Sequence, residues 1–205
     1  MATEDAVNPI ILIGGPPGAG KTTLAGGIAA HLGRKTITMD DLVVAARAVT
    51  TRETHPSLFP AAGQTHYEYF TNSPPERLIA DSQQLANAVW PIAERTIRYQ
   101  HATGTELVMD YWLFEPAKVA SLEPAVVAIW LHIDPEALEQ RELANDWTMG
   151  STDPEQMHSN FMARSLWRNT YLVEQAAQFG QPVLRLSGSE TREEVVAAAL
   201  DVIAL

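Results

Sequence analysis

The chain has 205 residues, one domain by length, and that is enough to bury a continuous core without covalent staples. It has no cysteine, which excludes disulfides and thiolate metal sites; with no basic-then-apolar leader and no apolar run of about eighteen residues, a soluble cytoplasmic protein is expected. A formal charge of −11, from 14 Lys and Arg against 25 Asp and Glu, excludes a broad nucleic-acid or anionic-membrane surface, which would need clustered cations.

The first apolar run, Ile10 to Ile13, suits a buried parallel strand and leads into Gly15-Pro16-Pro17-Gly18-Ala19-Gly20-Lys21-Thr22. This is a complete G-x-x-x-x-G-K-[ST] motif, and strand, glycine-rich turn and helix arrive in the order a phosphate cradle requires. Pro16 and Pro17 have no N–H, so the amides that wrap the anion must come from Gly18, Ala19, Gly20, Lys21 and Thr22, where a helix begins with its positive end facing the phosphates. Lys21, expected to stand exposed, would reach the β- and γ-phosphates. The Thr22 hydroxyl would sit on Mg²⁺, with Thr23 beside it as an outer group.

The second run, Thr36 to Met39, ends in Asp40-Asp41 and so puts a carboxylate at the carboxyl edge of the sheet, where open α/β sheets bind ligands. Asp40 would take the proton of an acceptor hydroxyl or hold Mg²⁺ through water; alternatively, Asp40 or Asp41 caps a helix beginning at Leu42. The segment Arg47 to Pro75, rich in Thr, His, Pro and Tyr, interrupts the alternation of strand and helix. It reads as part of an acceptor-binding insertion over residues about 45 to 101. Arg47 and Arg52, with Arg77, would recognise an acidic acceptor there. Pro91 should kink the helical pattern from Glu76 to His101.

The third run, Glu106 to Met109, ends at Asp110, the natural carboxylate to hold Mg²⁺ through water, and continues into Tyr111-Trp112 beside the acceptor. A motor ATPase of the AAA type would follow that aspartate with a water-activating glutamate. Tyr111 stands there instead, which favours transfer to a bound hydroxyl over hydrolysis-driven motion. With Val126 to Ile133 and Pro182 to Leu186 there are five strand-like runs separated by helical patterns, an α/β chain with a parallel sheet.

Asp134-Pro135 and Asp153-Pro154 each read as an N-cap followed by proline in the first helical position. Between them the polar segment Asn145 to Asp153, which contains Gly150, reads as a lid reaching to about residue 160. Arg141, just before it, would contact the nucleotide, or else pair with Glu139 or Glu142. Arg164 and Arg168 lie one helical turn apart with no acid at i±3 or i±4, so a triphosphate would relieve their repulsion; they are expected to clamp ATP and its transition state. The last helix opens near Thr191, with Glu194 completing a capping box. Lys21, Arg47, Arg52, Arg77, Arg95, Arg98, Arg141, Arg164 and Arg168 are the cations placed to handle anions. No H-x-H, H-E-x-x-H or carboxylate triad appears, so a metal site made by protein alone is not expected.

Together these features resemble a P-loop small-molecule kinase and, within that group, bacterial proteins similar to 2-phosphoglycerate kinase. The likeness covers the glycine-rich motif, Met39-Asp40-Asp41-Leu42, Arg47-Ala48-Val49-Thr50-Thr51 through Glu53-Thr54-His55-Pro56, Val89-Trp90-Pro91, the stretch Asp134 to Arg141, and Tyr171-Leu172-Val173-Glu174. Where those proteins favour Glu-Gly and a large residue after the third strand, this chain has Asp110-Tyr111-Trp112. The resemblance implies a P-loop NTPase three-layer sandwich over residues 1–205, a five-stranded parallel sheet flanked by helices, with a helical insertion and a lid. It also implies phosphoryl transfer from ATP with Mg²⁺ to a small anionic acceptor such as 2-phosphoglycerate, with neither nucleic acid nor membrane as partner. Alternative readings are an antibiotic or nucleoside kinase and an AAA-type nucleotide-binding module.

Overall fold

A computed structural model describes residues 9–122 and 125–203. Five strands, β1 (Ile10–Gly14), β2 (Lys35–Thr38), β3 (Leu107–Tyr111), β4 (Val126–Ile133) and β5 (Val183–Leu186), form one sheet in the order β2-β3-β1-β4-β5. Every pairing is parallel. A parallel sheet is covered on both faces, which is why β1 reads as an unbroken apolar run and β3 is buried at every position, Asp110 included.

The period of two along β1 divides the core. Ile10 and Leu12 face one layer, with Met39, Val89, Ile97, Met109, Trp130 and Leu172; Ile11 and Ile13 face the other, with Leu24, Ile28, Val108, Ile129, Leu138 and Ile203. The first layer is built by α2 (Met39–Ala48), α4 (Pro75–Ala102), α5 (Pro116–Ala120) and the later turns of α7 (Pro154–Gln178). The second is built by α1 (Lys21–Leu32), α6 (Pro135–Leu143) and α8 (Arg192–Ile203). The expected three-layer sandwich is the observed fold.

Three helix starts follow their sequence signals. Asp134 accepts from the amides of Glu136 and Ala137, Asp153 accepts from that of Gln156, and Thr191 and Glu194 form a reciprocal capping box. The second helix does not start where expected. It begins at Met39, immediately after β2, and its cap is Thr38, whose hydroxyl accepts from the Asp40 amide at 3.4 Å. Asp40 and Asp41 are therefore first-turn residues and neither is the cap.

The insertion holds α2, a short 3₁₀ turn at Pro56–Leu58, α3 (His66–Asn72) and α4, which runs through Pro91. It has its own small core of Tyr69, Phe70, Leu78 and Met157, and Trp147 and Phe161 pack against that core. Trp147 lies in the segment expected as a lid, 4.5 Å from the Phe161 ring, and Thr71 and Ser151 share a 2.7 Å hydrogen bond. The lid segment thus rests on α3. Among the described residues no helix is long and apolar enough to cross a membrane.

Candidate active site

The turn from β1 into α1 is shaped by two glycines in the left-handed region, Gly18 at φ 78° and Gly20 at φ 88°, where an L side chain is strained. Gly14 and Gly15 admit close packing: a methyl on the first would overlap the Trp130 ring, and one on the second would come 2.9 Å from Leu131 Cβ. The loop of Gly15, Pro16, Pro17, Gly18, Ala19 and Gly20 then hands the chain to α1 at Lys21.

Lys21 is only 9 % exposed, not the exposed group anticipated. Its Nζ turns back to donate to the Pro16 carbonyl at 2.7 Å. Burial pulls its pKa down to about 8, against the opposing pull of Asp110 and Asp40, so at neutral pH it remains a cation. Thr22 donates from Oγ1 to Asp110 Oδ2 at 2.7 Å, across the gap between α1 and β3. Asp110 is 2 % exposed, and burial raises its pKa while the Thr22 hydrogen bond and Lys21 lower it. The pair is the hard-oxygen donor set Mg²⁺ prefers. Among the described residues no cluster of three or more His, Cys, Asp or Glu could hold a metal ion, so a cation here would depend on phosphate oxygens and water to complete its shell. Thr23, next in the chain, lines a cleft on the same loop with Ala19, Gly20, Leu24, Arg141 and Leu186.

Thr38 lies opposite Asp110 in the sheet register, so the first turn of α2 opens at the same carboxyl edge as the glycine-rich loop. Asp40 stands at that edge with its side chain reaching solvent. Crowding by surrounding protein raises its pKa above the ordinary carboxylate value; Lys21 opposes the rise, Asp110 and Asp41 reinforce it, and Arg47 opposes it. Lys21 and Asp110 both act electrostatically on Asp40, so the three charged groups belong to one cluster at the carboxyl edge of the sheet.

Beyond this edge lies a cavity of about 420 Å³ whose wall includes Arg47, Phe59, Tyr69, Phe70, Asp81, Trp112 and Arg164. Arg164 is the unusual member. It is 6 % exposed, its guanidinium carbon lies 4.9, 4.7 and 4.7 Å from the ring centres of Phe70, Trp112 and Phe161, and its buried Nε has no hydrogen-bond partner. Burial lowers its pKa to about 10, which leaves it charged at neutral pH. Three ring faces enclose it and no carboxylate forms an ion pair with it; Glu142 acts on it only through space. Arg47 lines the same cavity, with Nε donating to the Leu58 carbonyl at 2.7 Å.

Several expectations require correction. Arg168 is 1 % exposed, and each nitrogen of its guanidinium is bonded to protein: Nε donates to the Trp112 carbonyl at 2.9 Å, Nη1 pairs with Glu115 at 2.7 Å and Nη2 donates to the Phe114 carbonyl at 2.6 Å. It anchors the chain after β3, with all three of its nitrogens bonded to protein and its charge paired with Glu115. Arg164 points into the cavity beside the insertion, so the two arginines are not one clamp. Arg52 donates to the Ala62 carbonyl and lines an outer cleft, while Arg77 pairs with Asp81 at 3.5 Å; neither lines the cavity. Trp112 does line it. Arg141 forms neither suggested ion pair and donates from Nη1 to the Gly18 carbonyl of the glycine-rich loop at 3.3 Å.

The sequence reading passed over Glu142, 7 % exposed and pressed on the glycine-rich loop, and Asp81, which accepts from the Tyr69 hydroxyl at 2.9 Å in the cavity wall. No local pattern marked either. Glu142 was visible only as a neighbour of Arg141, and Asp81 only as one acid in a helix.

No family model and no curated protein matches the chain. Among solved structures, a shikimate kinase from Bacteroides thetaiotaomicron superposes with a TM-score of 0.60 at 17% identity, over 96% of this chain and 99% of that one. A gluconokinase from Sinorhizobium meliloti 1021 superposes at 0.51 and 15% identity, over 97% and 92% of the two chains. At these identities the likeness is one of architecture, carried over nearly the whole length of each chain. The protein has the three-layer fold of the P-loop kinases.

Proposed function

We propose that this protein is an ATP-dependent phosphotransferase that phosphorylates a hydroxyl group of a small anionic metabolite. The observation that carries the reading is the proximity of two half-sites: Lys21, Thr22 and Asp110 on the phosphate side, and a cavity walled by Arg47 and Arg164 on the other, with Asp40 coupled electrostatically to Lys21 and Asp110 of the first and to Arg47 of the second. The glycine-rich loop and Lys21 would bind the triphosphate, and Thr22 with Asp110 would hold Mg²⁺, which neutralises phosphate charge when bound. Arg164 and Arg47 would seat the acceptor's anionic group. Asp40 would receive the proton of the acceptor hydroxyl as that oxygen bonds to the γ-phosphorus, with ADP leaving in line.

Two further facts support the reading. The structural neighbours named above are a shikimate kinase and a gluconokinase, both kinases of small molecules. The chain also resembles 2-phosphoglycerate kinase-like proteins in the segments quoted, which makes 2-phosphoglycerate or a similar phospho-acid the first acceptor to try. A second reading, a nucleoside or other flat neutral acceptor, is favoured by the rings of Phe59, Tyr69, Phe70 and Trp112 in the same wall.

Acceptor-dependent ADP release, measured over a panel of hydroxy acids, phospho-acids and neutral nucleosides, tests both. An anionic acceptor should show a KM that rises with salt and in Arg47→Ala, because an attractive charge is screened or deleted. Saturation by a neutral nucleoside, unmoved by either change, selects the second reading. ATP turnover indifferent to every acceptor would sink the kinase proposal itself.

A further inference from the structure

The carboxyl-terminal turn of α6 places two opposite charges on the glycine-rich loop. Arg141 reaches the Gly18 carbonyl, and Glu142 is lodged so closely that a methyl on Gly18 would overlap its Oε1. Among the described residues the Glu142 carboxylate accepts no hydrogen bond. The charges that face it are Lys21 at the head of α1, and His158 and Arg164 from α7. Lys21, meanwhile, spends a hydrogen bond on the loop's own Pro16 carbonyl. Both cations nearest the phosphate site are therefore occupied by loop carbonyls, and a nearly buried anion lies at its rim.

We infer that the end of α6 is a latch that masks the phosphate site until nucleotide arrives, with Glu142 as a resident anion that the triphosphate must displace or neutralise. Two negative charges do not share a poorly solvated rim without cost: either one leaves or one takes up a proton. Displacement of Glu142 would also free Arg141, its chain neighbour, from the Gly18 carbonyl to meet the phosphates. Burial already raises the Glu142 pKa, with His158, Arg164 and Lys21 opposing, so it takes up a proton more readily than an ordinary glutamate. Incoming phosphate raises it further, and binding should then tighten as pH falls.

The inference rests on the nucleotide site proposed above, and binding measurements separate the two. Wild-type protein and Glu142→Gln are titrated calorimetrically with the magnesium complex of AMP-PNP between about pH 5.5 and 8, in two buffers of different ionisation enthalpy. Glu142→Gln should bind about tenfold tighter at the alkaline end, as expected for removal of one like charge at short range. The gap should narrow towards the acid end, as protonation of wild-type Glu142 becomes easier, and wild type should take up more protons on binding than the variant. Glu142→Asp keeps the charge but draws it back from Gly18; tighter binding than wild type again supports the latch. Equal or weaker binding by both variants across the range overturns the latch alone. Failure of wild type and variants to bind at millimolar nucleotide overturns the nucleotide site and the latch with it.

Discussion

Arg164 and Arg168 show how far a residue's surroundings decide its work. They are neighbours on one helix face, yet one holds a carboxylate and two carbonyls while the other has three aromatic rings and an idle Nε. Their substitutions should diverge. Arg168→Met, which strands Glu115 and two carbonyls, should cost about 3 to 5 kcal/mol in denaturant unfolding. Arg164→Met keeps the bulk and removes an unpaired buried charge, so apo stability should hold or rise while acceptor kcat/KM falls by roughly 2 to 4 kcal/mol in transition-state terms. A destabilised Arg164→Met with normal kinetics would assign Arg164 to structure. The proposed base sets the acid limb. Asp40 must be ionised to accept a proton, and its pKa is raised, so kcat should fall with decreasing pH earlier than for an ordinary carboxylate. On the alkaline side nucleotide affinity should weaken as pH rises through about 8, where Lys21 loses its charge. Asp40→Asn should lower kcat by about a hundredfold or more and abolish the acid limb, with nucleotide affinity largely kept.

At the scale of elements, what the sequence disclosed depended on whether the signal was local. Caps and first-turn prolines act within four residues, so α6, α7 and α8 could be placed from Asp134-Pro135, Asp153-Pro154 and Thr191 with Glu194. The start of α2 escaped because no loop separates it from β2 and Thr38 serves as strand end and cap at once. The capping box of Thr65 and Glu68 that opens α3 was also there to be found, but lay in a segment read only for its arginines and rings. The phosphate side of the site was legible for the same reason of locality, since loop, Lys21 and Thr22 are contiguous. The partners of Arg168 are not: Glu115 is 53 residues away, beyond any survey of helical neighbours. Asp153→Ala tests the local reasoning. It should cost about 1 kcal/mol, lowering Tm by about 2 to 4 °C in a chain of this size. A larger loss would mean that Asp153 also secures the lid segment against α3.

Over the whole molecule, a net charge of −11 repels the very ligands proposed for it, so binding must depend on a few cations concentrated at one sheet edge. The sheet order puts β1 between β3 and β4, and its carboxyl end presents the glycine-rich loop beside Asp110 of β3 and the start of α2. Across this edge runs α7. Asn169 ties it to Ile133 of β4, Arg168 ties it to the chain after β3, and Asn160 ties it to the Phe70 and Thr71 carbonyls of α3. Arg164 sits between those moorings, four residues or about 6 Å of helical rise above Arg168. A helix moored on either side of Arg164 cannot slide to suit a guest, and so this part of α7 is a ruler. If Arg164 seats the anionic group of the proposed acceptor, the span from that group to the reacting oxygen would be fixed by the pitch of one helix against one sheet. In a homologous series of hydroxy acids, kcat/KM should therefore peak at a single length and fall on either side, where a merely sticky cationic pocket would show a plateau.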